Sequence, residues 1–176
     1  MTGVLKDPLL TSARWLLMFC QFMAIVVAAA VLIGAVVIQF NHARVLTELA
    51  AHSAKVEGWE VVAGIELLLV LVAAMAAAAF LWLREMRRIV DSVALGDPFV
   101  PENADRLQKM GWLTVLIEVT SIPVGGIGAW IASVVEDATS DFGISLGGIL
   151  LAMVLFILAR VFREGTRMRA ELEGTV

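Results

Sequence analysis

The chain has no tyrosine, one cysteine and two histidines in 176 residues, and each scarcity removes a class of chemistry. A lone Cys20 excludes an internal disulfide and every metal or iron-sulfur centre built from several thiolates. Lying within an apolar run, it reads as a small buried hydrophobe. His42 and His52 are too far apart for the three- or four-residue helical spacing that sets two imidazoles on one metal, and both read as solvated connection residues. No long apolar run contains a histidine, so a haem held between two histidines at bilayer depth is excluded. There is no Ser/His/Asp set, no HExxH helix and no phosphate-binding loop. The expectation is a protein that is not an enzyme and carries no cofactor and no metal site.

What the chain does contain is apolar length. Four runs, Trp15 to Phe40, Val61 to Leu83, Trp112 to Val135 and Ile144 to Phe162, fill most of it, and 60% of its residues are hydrophobic. Each run reaches or exceeds the roughly 20 residues that a helix rising about 1.5 Å per residue needs to cross a hydrocarbon layer about 30 Å thick. Strands of a closed barrel would show short alternating segments instead. The fold class expected is therefore all-α, an integral membrane bundle of four transmembrane helices in one domain. Their predicted bounds are roughly 13–40, 59–85, 108–135 and 144–164, with a cytoplasmic connection over 86–107 and a cytoplasmic tail over 165–176. The first run is about twice the length of a signal peptide's apolar region, which predicts a retained helix despite the small residues Ala28, Ala29 and Ala30.

The net charge of −4 says little for a chain that meets two compartments, but the placement of charge says more. Lys6 and Arg14 precede the first run. Arg84, Arg87, Arg88, Arg106 and Lys109 lie between the second and third, and Arg160, Arg163, Arg167 and Arg169 close the fourth. Only Arg44 and Lys55 fall in the first connection, and no Lys or Arg in the third. Because basic residues stay on the cytoplasmic side, both termini and the central connection are predicted to be cytoplasmic, in an inner membrane crossed four times.

The connection from Asn41 to Gly58 keeps Val45, Leu49 and Val56 at helical spacing, so it either continues the first helix or lies on the outer surface. From Arg84 to Leu95 the spacing predicts a helix with Met86, Ile89, Val90 and Val93 on one face, stopped by Gly96, Asp97 and Pro98. Pro101, Glu102 and Asn103 then predict a new helix start that leads into the third crossing. This region is either an interfacial hairpin that anchors the bundle or a docking surface. Phe80, Arg84 and Arg87 are spaced like Phe156, Arg160 and Arg163. A duplicated helical hairpin would explain that, and so would the habit of inward-going helices to end in Arg.

Two carboxylates sit inside the runs. Counted along the helices, Glu66 lies about 10 Å from the outer end of the second crossing and Glu118 about 13 Å from the inner end of the third, so a jointly held proton or metal is not favoured. A carboxylate at depth must be neutral, paired or hydrated. Each is then either a packing device, bonded to Ser121, Thr114, Thr120 or a backbone carbonyl, or part of a proton or cation pathway. Pro123, Gly125, Gly126 and Gly128 are expected to break the third helix midway, as in transporter binding sites, or else to let helices approach closely, as Gly143 and Gly147 would. These glycines follow no strand and cannot be a phosphate cradle. The acidic outer connection, Glu136, Asp137 and Asp141, is too short for a calcium loop.

The segment Pro98 to Trp112, Pro-Phe-Val-Pro-Glu-Asn-Ala-Asp-Arg-Leu-Gln-Lys-Met-Gly-Trp, resembles the signature region of the DUF2975 family of small four-helix prokaryotic membrane proteins. The tail from Leu158 to Val176, with Ala159, Phe162, Arg163, Glu164, Gly165, Leu172, Thr175 and Val176, is similar to that family's closing motif. It departs from the motif at Glu171, Leu172, Glu173 and Gly174, where a polar Asn-rich approach to the final Thr-Val would be expected. The resemblance implies no reaction. It implies a partner, a very small Xre/Cro-type helix-turn-helix regulator encoded alongside and held at the membrane away from DNA. The candidate partner-binding residues are Arg87, Arg88, Arg106, Arg163 and Arg167. Besides the lipid bilayer, a homo-oligomer is a further possible contact, and direct nucleic-acid binding is not expected. The competing readings are a small proton- or ion-coupled transporter using Glu66 and Glu118, and a structural subunit of a larger complex.

Overall fold

The computed structural model of the protein describes residues 8–52, 58–134 and 145–173. Among the described residues there are five helices and no strand: α1 (Pro8–Phe40), α2 (His42–His52), α3 (Gly58–Ala94), α4 (Pro101–Val134) and α5 (Leu146–Glu173). Four of them, all but α2, are long and apolar enough to cross a membrane. The protein is an all-α membrane bundle. The acidic stretch with Glu136, Asp137 and Asp141, Gly143, and the closing Gly174, Thr175 and Val176 lie outside the described residues.

The surface follows the solvent. Large apolar side chains such as Leu16, Phe19 and Phe22 of α1, Leu67 and Val70 of α3, Val119 and Ile122 of α4, and Val154 and Ile157 of α5 point outward. Buried positions include Gln21, Glu85, Asn103, Thr114 and Ser121. Lipid tails are as apolar as leucine, so little is gained by hiding leucine among helices, and small or polar groups take the inward positions. α1 carries this furthest, with Gln21 its one buried residue.

The helices run past the apolar runs. α3, at 37 residues, spans about 55 Å against a hydrocarbon layer of about 30 Å, so its last turns must leave the lipid. Its end is set by backbone chemistry. Gly96 has φ +86°, the Gly96 N–H bonds the Val93 carbonyl at 3.0 Å and the Asp97 N–H bonds the Ser92 carbonyl at 3.2 Å. That pair of bonds is a Schellman cap, and it requires a left-handed residue that only glycine adopts without strain. Pro101, which has no N–H to leave unsatisfied, opens α4 after six non-helical residues. α2 follows α1 after Asn41 alone, whose N–H and side-chain amide both bond the Val37 carbonyl, so the chain there continues the first helix.

The break expected at Pro123 is not formed. α4 runs unbroken from Pro101 to Val134 with Pro123 inside it. A proline deletes one backbone bond, and in a membrane helix neighbouring groups and small local adjustments absorb that loss. At Gly126 an added Cβ would meet nothing within 4 Å, so this glycine is not needed for a close helix approach. Gly64 is, since a Cβ there would come 2.7 Å from the Trp130 ring.

The chain packs as two compact units. The first comprises Met1–Met23, Ala78–Leu116 and Leu146–Val176, and the second Ala24–Ala77 and Ile117–Ser145. In the first, Leu107, Met110, Leu155 and Ala159 form a buried core, flanked by Trp82, Met86, Ile89 and Phe162. Gly111 lets α4 meet α5: a Cβ there would lie 2.8 Å from the Phe156 ring, which also stands edge-on to Trp112 at 5.4 Å. In the second, Val61, Val62 and Val124 are buried.

Candidate functional site

A connected polar structure centred on Asn103 lies in the first unit. It is built on the turn between α3 and α4. Asn103, fully buried, is the hub: its amide nitrogen donates to Ser92 Oγ at 2.7 Å and to the Pro98 carbonyl at 2.8 Å, and its Oδ1 accepts from Arg106 Nη1 at 2.8 Å. Arg106 also donates to the Arg88 carbonyl at 3.3 Å. One side chain thus ties the end of α3, the turn and the first coil of α4 together.

α5 closes over that turn. Arg169 pairs with Asp97, Thr166 Oγ1 donates to the Phe99 carbonyl at 3.2 Å, and Arg163 donates to Gln108 Oε1 at 2.8 Å and pairs with Asp105 at 3.4 Å. Phe99 lies tilted on Phe162 with ring centroids 5.4 Å apart, and its ring comes within 3.1 Å of where a Cβ on Gly165 would be. From the other side Arg14 of α1 pairs with Asp91 of α3 at 2.6 Å. Each ion pair is partly exposed and contributes little alone. Together with buried Asn103 they hold a turn that would otherwise be free.

The five arginines expected to meet a partner divide accordingly. Arg88 pairs with Glu85 at 3.0 Å, Arg106 and Arg163 are bound as above, and Arg167 pairs with Glu164 and with Glu171. These four are held by the protein itself, and each keeps further N–H groups for a partner. Arg87 forms no ion pair with any described residue. Glu85 is the acidic counterpart that sequence reasoning passed over: its side chain is 5% exposed and shared by Arg84 and Arg88. Asp97, Asp91 and Gln21 were missed likewise. The signal for Glu85 was present, a lone acid among three arginines at a membrane edge. Nothing in the sequence marked Gln21 beyond its place in an apolar run.

The intramembrane acids belong to the second unit and behave differently from each other. Glu118 Oε2 accepts the backbone N–H of Ser145 at 2.9 Å, the residue just before α5. It therefore satisfies one of the orphan donors at a helix start. Of the hydroxyls expected near it, Ser121 Oγ donates to the Glu118 backbone carbonyl at 2.7 Å and Thr114 Oγ1 to the Met110 carbonyl at 2.9 Å. Glu66 has an Oε1 that is buried without a hydrogen-bond partner.

Two crevices open in the first unit. One, of about 430 Å³, is lined by Gln108, Phe156, Ala159, Arg160, Arg163 and Glu164. The other, of about 440 Å³, lies between α3 and α4 at Arg84 and Lys109.

No curated protein and no solved structure matches the chain. The polar structure around Asn103 is built from the two stretches whose residues resemble a family signature, and the family model described as "Protein of unknown function (DUF2975)" matches residues 39–176; the chain belongs to the DUF2975 family.

Proposed function

We propose that this multi-pass protein of the inner membrane uses its arginine-rich end, facing the cytoplasm, as a docking surface for a small helix-turn-helix transcription regulator. The observation that carries the reading is that three large apolar side chains stand exposed in this charged region: Leu95 at 79%, Met168 at 52% and Leu172 at 72%. Asp97 follows Leu95 by two residues, Arg167 and Arg169 flank Met168, and Glu171 and Glu173 flank Leu172, unlike the surroundings of the exposed positions in the apolar runs. Exposed apolar residues rimmed by charge are the usual make-up of a protein-binding patch. The Gly96 cap and the Asp97–Arg169 pair fix Leu95 and Met168 in place, which lowers the ordering cost of binding. A regulator held there is removed from the pool that competes for operator DNA, and a tenfold change in affinity needs only about 1.4 kcal/mol.

The test is fractionation of the co-expressed regulator. With the native protein it is expected in the membrane fraction, and with Leu95→Glu plus Met168→Glu in the soluble fraction, at equal abundance of the membrane protein. A regulator that partitions identically with both removes this reading. Truncation after Phe162 is a poorer test, because it deletes Arg163, Thr166 and Arg169 and with them the contacts that hold the turn.

A second reading rests on Glu66. Its buried, unpartnered Oε1 suits a proton site in a small proton-coupled transporter. Proton uptake by proteoliposomes that vanishes in Glu66→Gln, with unchanged insertion, would support it, and uptake equal to that of empty vesicles would remove it.

A further inference from the structure

We propose that the crevice between α3 and α4 binds the headgroup of an anionic phospholipid, with the phosphodiester held by Arg84 and Lys109 and an acyl chain laid along Leu81 and Leu116. The crevice measures about 440 Å³ and its lining includes Leu81, Arg84, Glu85, Lys109, Trp112 and Leu116, a size within the range of small-ligand sites, about 300–1,000 Å³.

Three features point to this ligand. The first is unspent donor capacity. The Lys109 ammonium forms no ion pair or hydrogen bond with any described residue, and Arg84 Nε is buried with no acceptor while its Nη2 reaches Glu85 Oε1 at 3.3 Å. A buried guanidinium N–H without an acceptor is costly, and a phosphate oxygen is the acceptor that fits it. The second is charge. Glu85 is the one acid in the lining, and it is already shared with Arg88 at 3.0 Å. Within the lining Arg84 and Lys109 outnumber it two to one, leaving an excess of positive charge at the mouth.

The third is the direction of polarity. On α3 the order Leu81, Arg84 runs from the apolar run to the charged end, and on antiparallel α4 the order Lys109, Trp112, Leu116 runs back from it. Both walls thus grade from basic to leucine, and on α4 the exposed Trp112 stands between the two. A lipid shows the same order of phosphate, glycerol region and acyl chain, and tryptophan is the residue that favours the middle level. Free phosphate would use the basic mouth alone and leave the leucine walls bare. Basic pockets between membrane helices are a recurrent way of holding acidic headgroups.

The experiment uses the full chain in an uncharged detergent, titrated with dioleoyl phosphatidylglycerol or dioleoyl phosphatidylcholine, with bound lipid counted by native mass spectrometry and helicity followed by circular dichroism. Phosphatidylglycerol is expected to bind more tightly than phosphatidylcholine. Lys109→Gln should lower its affinity about fivefold, the effect of one basic residue near an anionic headgroup. Lys109→Arg should retain it, and Lys109→Glu should abolish the preference. Arg160→Gln, in the other crevice, should leave it unchanged. Equal binding of the two lipids, an unchanged preference in Lys109→Gln or Lys109→Glu, or an equal loss in Arg160→Gln would overturn the assignment. Inorganic phosphate should displace phosphatidylglycerol poorly, and complete displacement at equimolar concentration would overturn a lipid as the occupant.

Discussion

The two units of this chain solve the same problem with opposite means. In the first, a buried asparagine, a Schellman cap and ion pairs reaching from α1, α3, α4 and α5 fix the end of the bundle. In the second, long apolar helices pack with little polar bonding: a glycine against a tryptophan, a few buried valines and one carboxylate on a helix start. The difference follows from the solvent. Where helices leave lipid, water competes for every exposed group, so a unique shape requires specific bonds. Within lipid, backbone bonding is already complete in each helix and close approach suffices. Specific polar bonding therefore belongs to the first unit.

The largest expected effect comes from carrying a charge of the wrong sign into the second unit. Glu118→Lys puts an ammonium against the start of α5, at a cost of about 3 kcal/mol at bilayer depth, and its abundance in membranes should collapse. Glu118→Gln keeps a carbonyl oxygen for the Ser145 N–H and should remain within about 1 kcal/mol of the native protein in detergent unfolding. If both variants accumulate normally, Glu118 faces water and the contrast between the units fails at that position.

In the first unit Asn103→Ala should cost about 2–3 kcal/mol, since it removes bonds to Ser92, Pro98 and Arg106 and leaves buried partners unsatisfied. Limited proteolysis should then cut between α3 and α4, where the native turn resists. Gly96→Ala should cost about 1 kcal/mol, the penalty for a side chain at positive φ, seen as a lower unfolding midpoint. The smallest effect is expected from Arg163→Gln. Its partly exposed pair with Asp105 is worth well under about 1 kcal/mol. A loss as large as that of Asn103→Ala would mean that the surface ion pairs, and not the buried hub, hold the turn.

Much of this contrast could be read from residues in order, because it depends on local signals. Apolar run length marked the four crossings, Gly96-Asp97-Pro98 marked the stop of α3, and Pro101 marked the start of α4. The functional chemistry was less legible where it depends on contacts between distant positions. For Glu118 the sequence offered nearby hydroxyls or a backbone carbonyl as partners, whereas its Oε2 accepts the backbone N–H of Ser145, 27 residues on. Pro123 suggested a break because a proline removes a helical bond, yet a single missing bond does not outweigh the continuity of the turns on either side. The arginines were visible as a basic set, but which of them the protein itself occupies could not be seen before Glu85, Asp97 and Asp105 were placed beside them. Lys109 gained meaning only when Arg84 and Trp112 appeared across the same crevice.

The most direct test of the account is the partition of a co-expressed helix-turn-helix regulator between membrane and soluble fractions, with the native protein and with Leu95→Glu plus Met168→Glu. The account predicts membrane association with the native protein and release by the double substitution, while Glu118→Gln in the second unit releases nothing. Release by Glu118→Gln with retention by the double variant would contradict it.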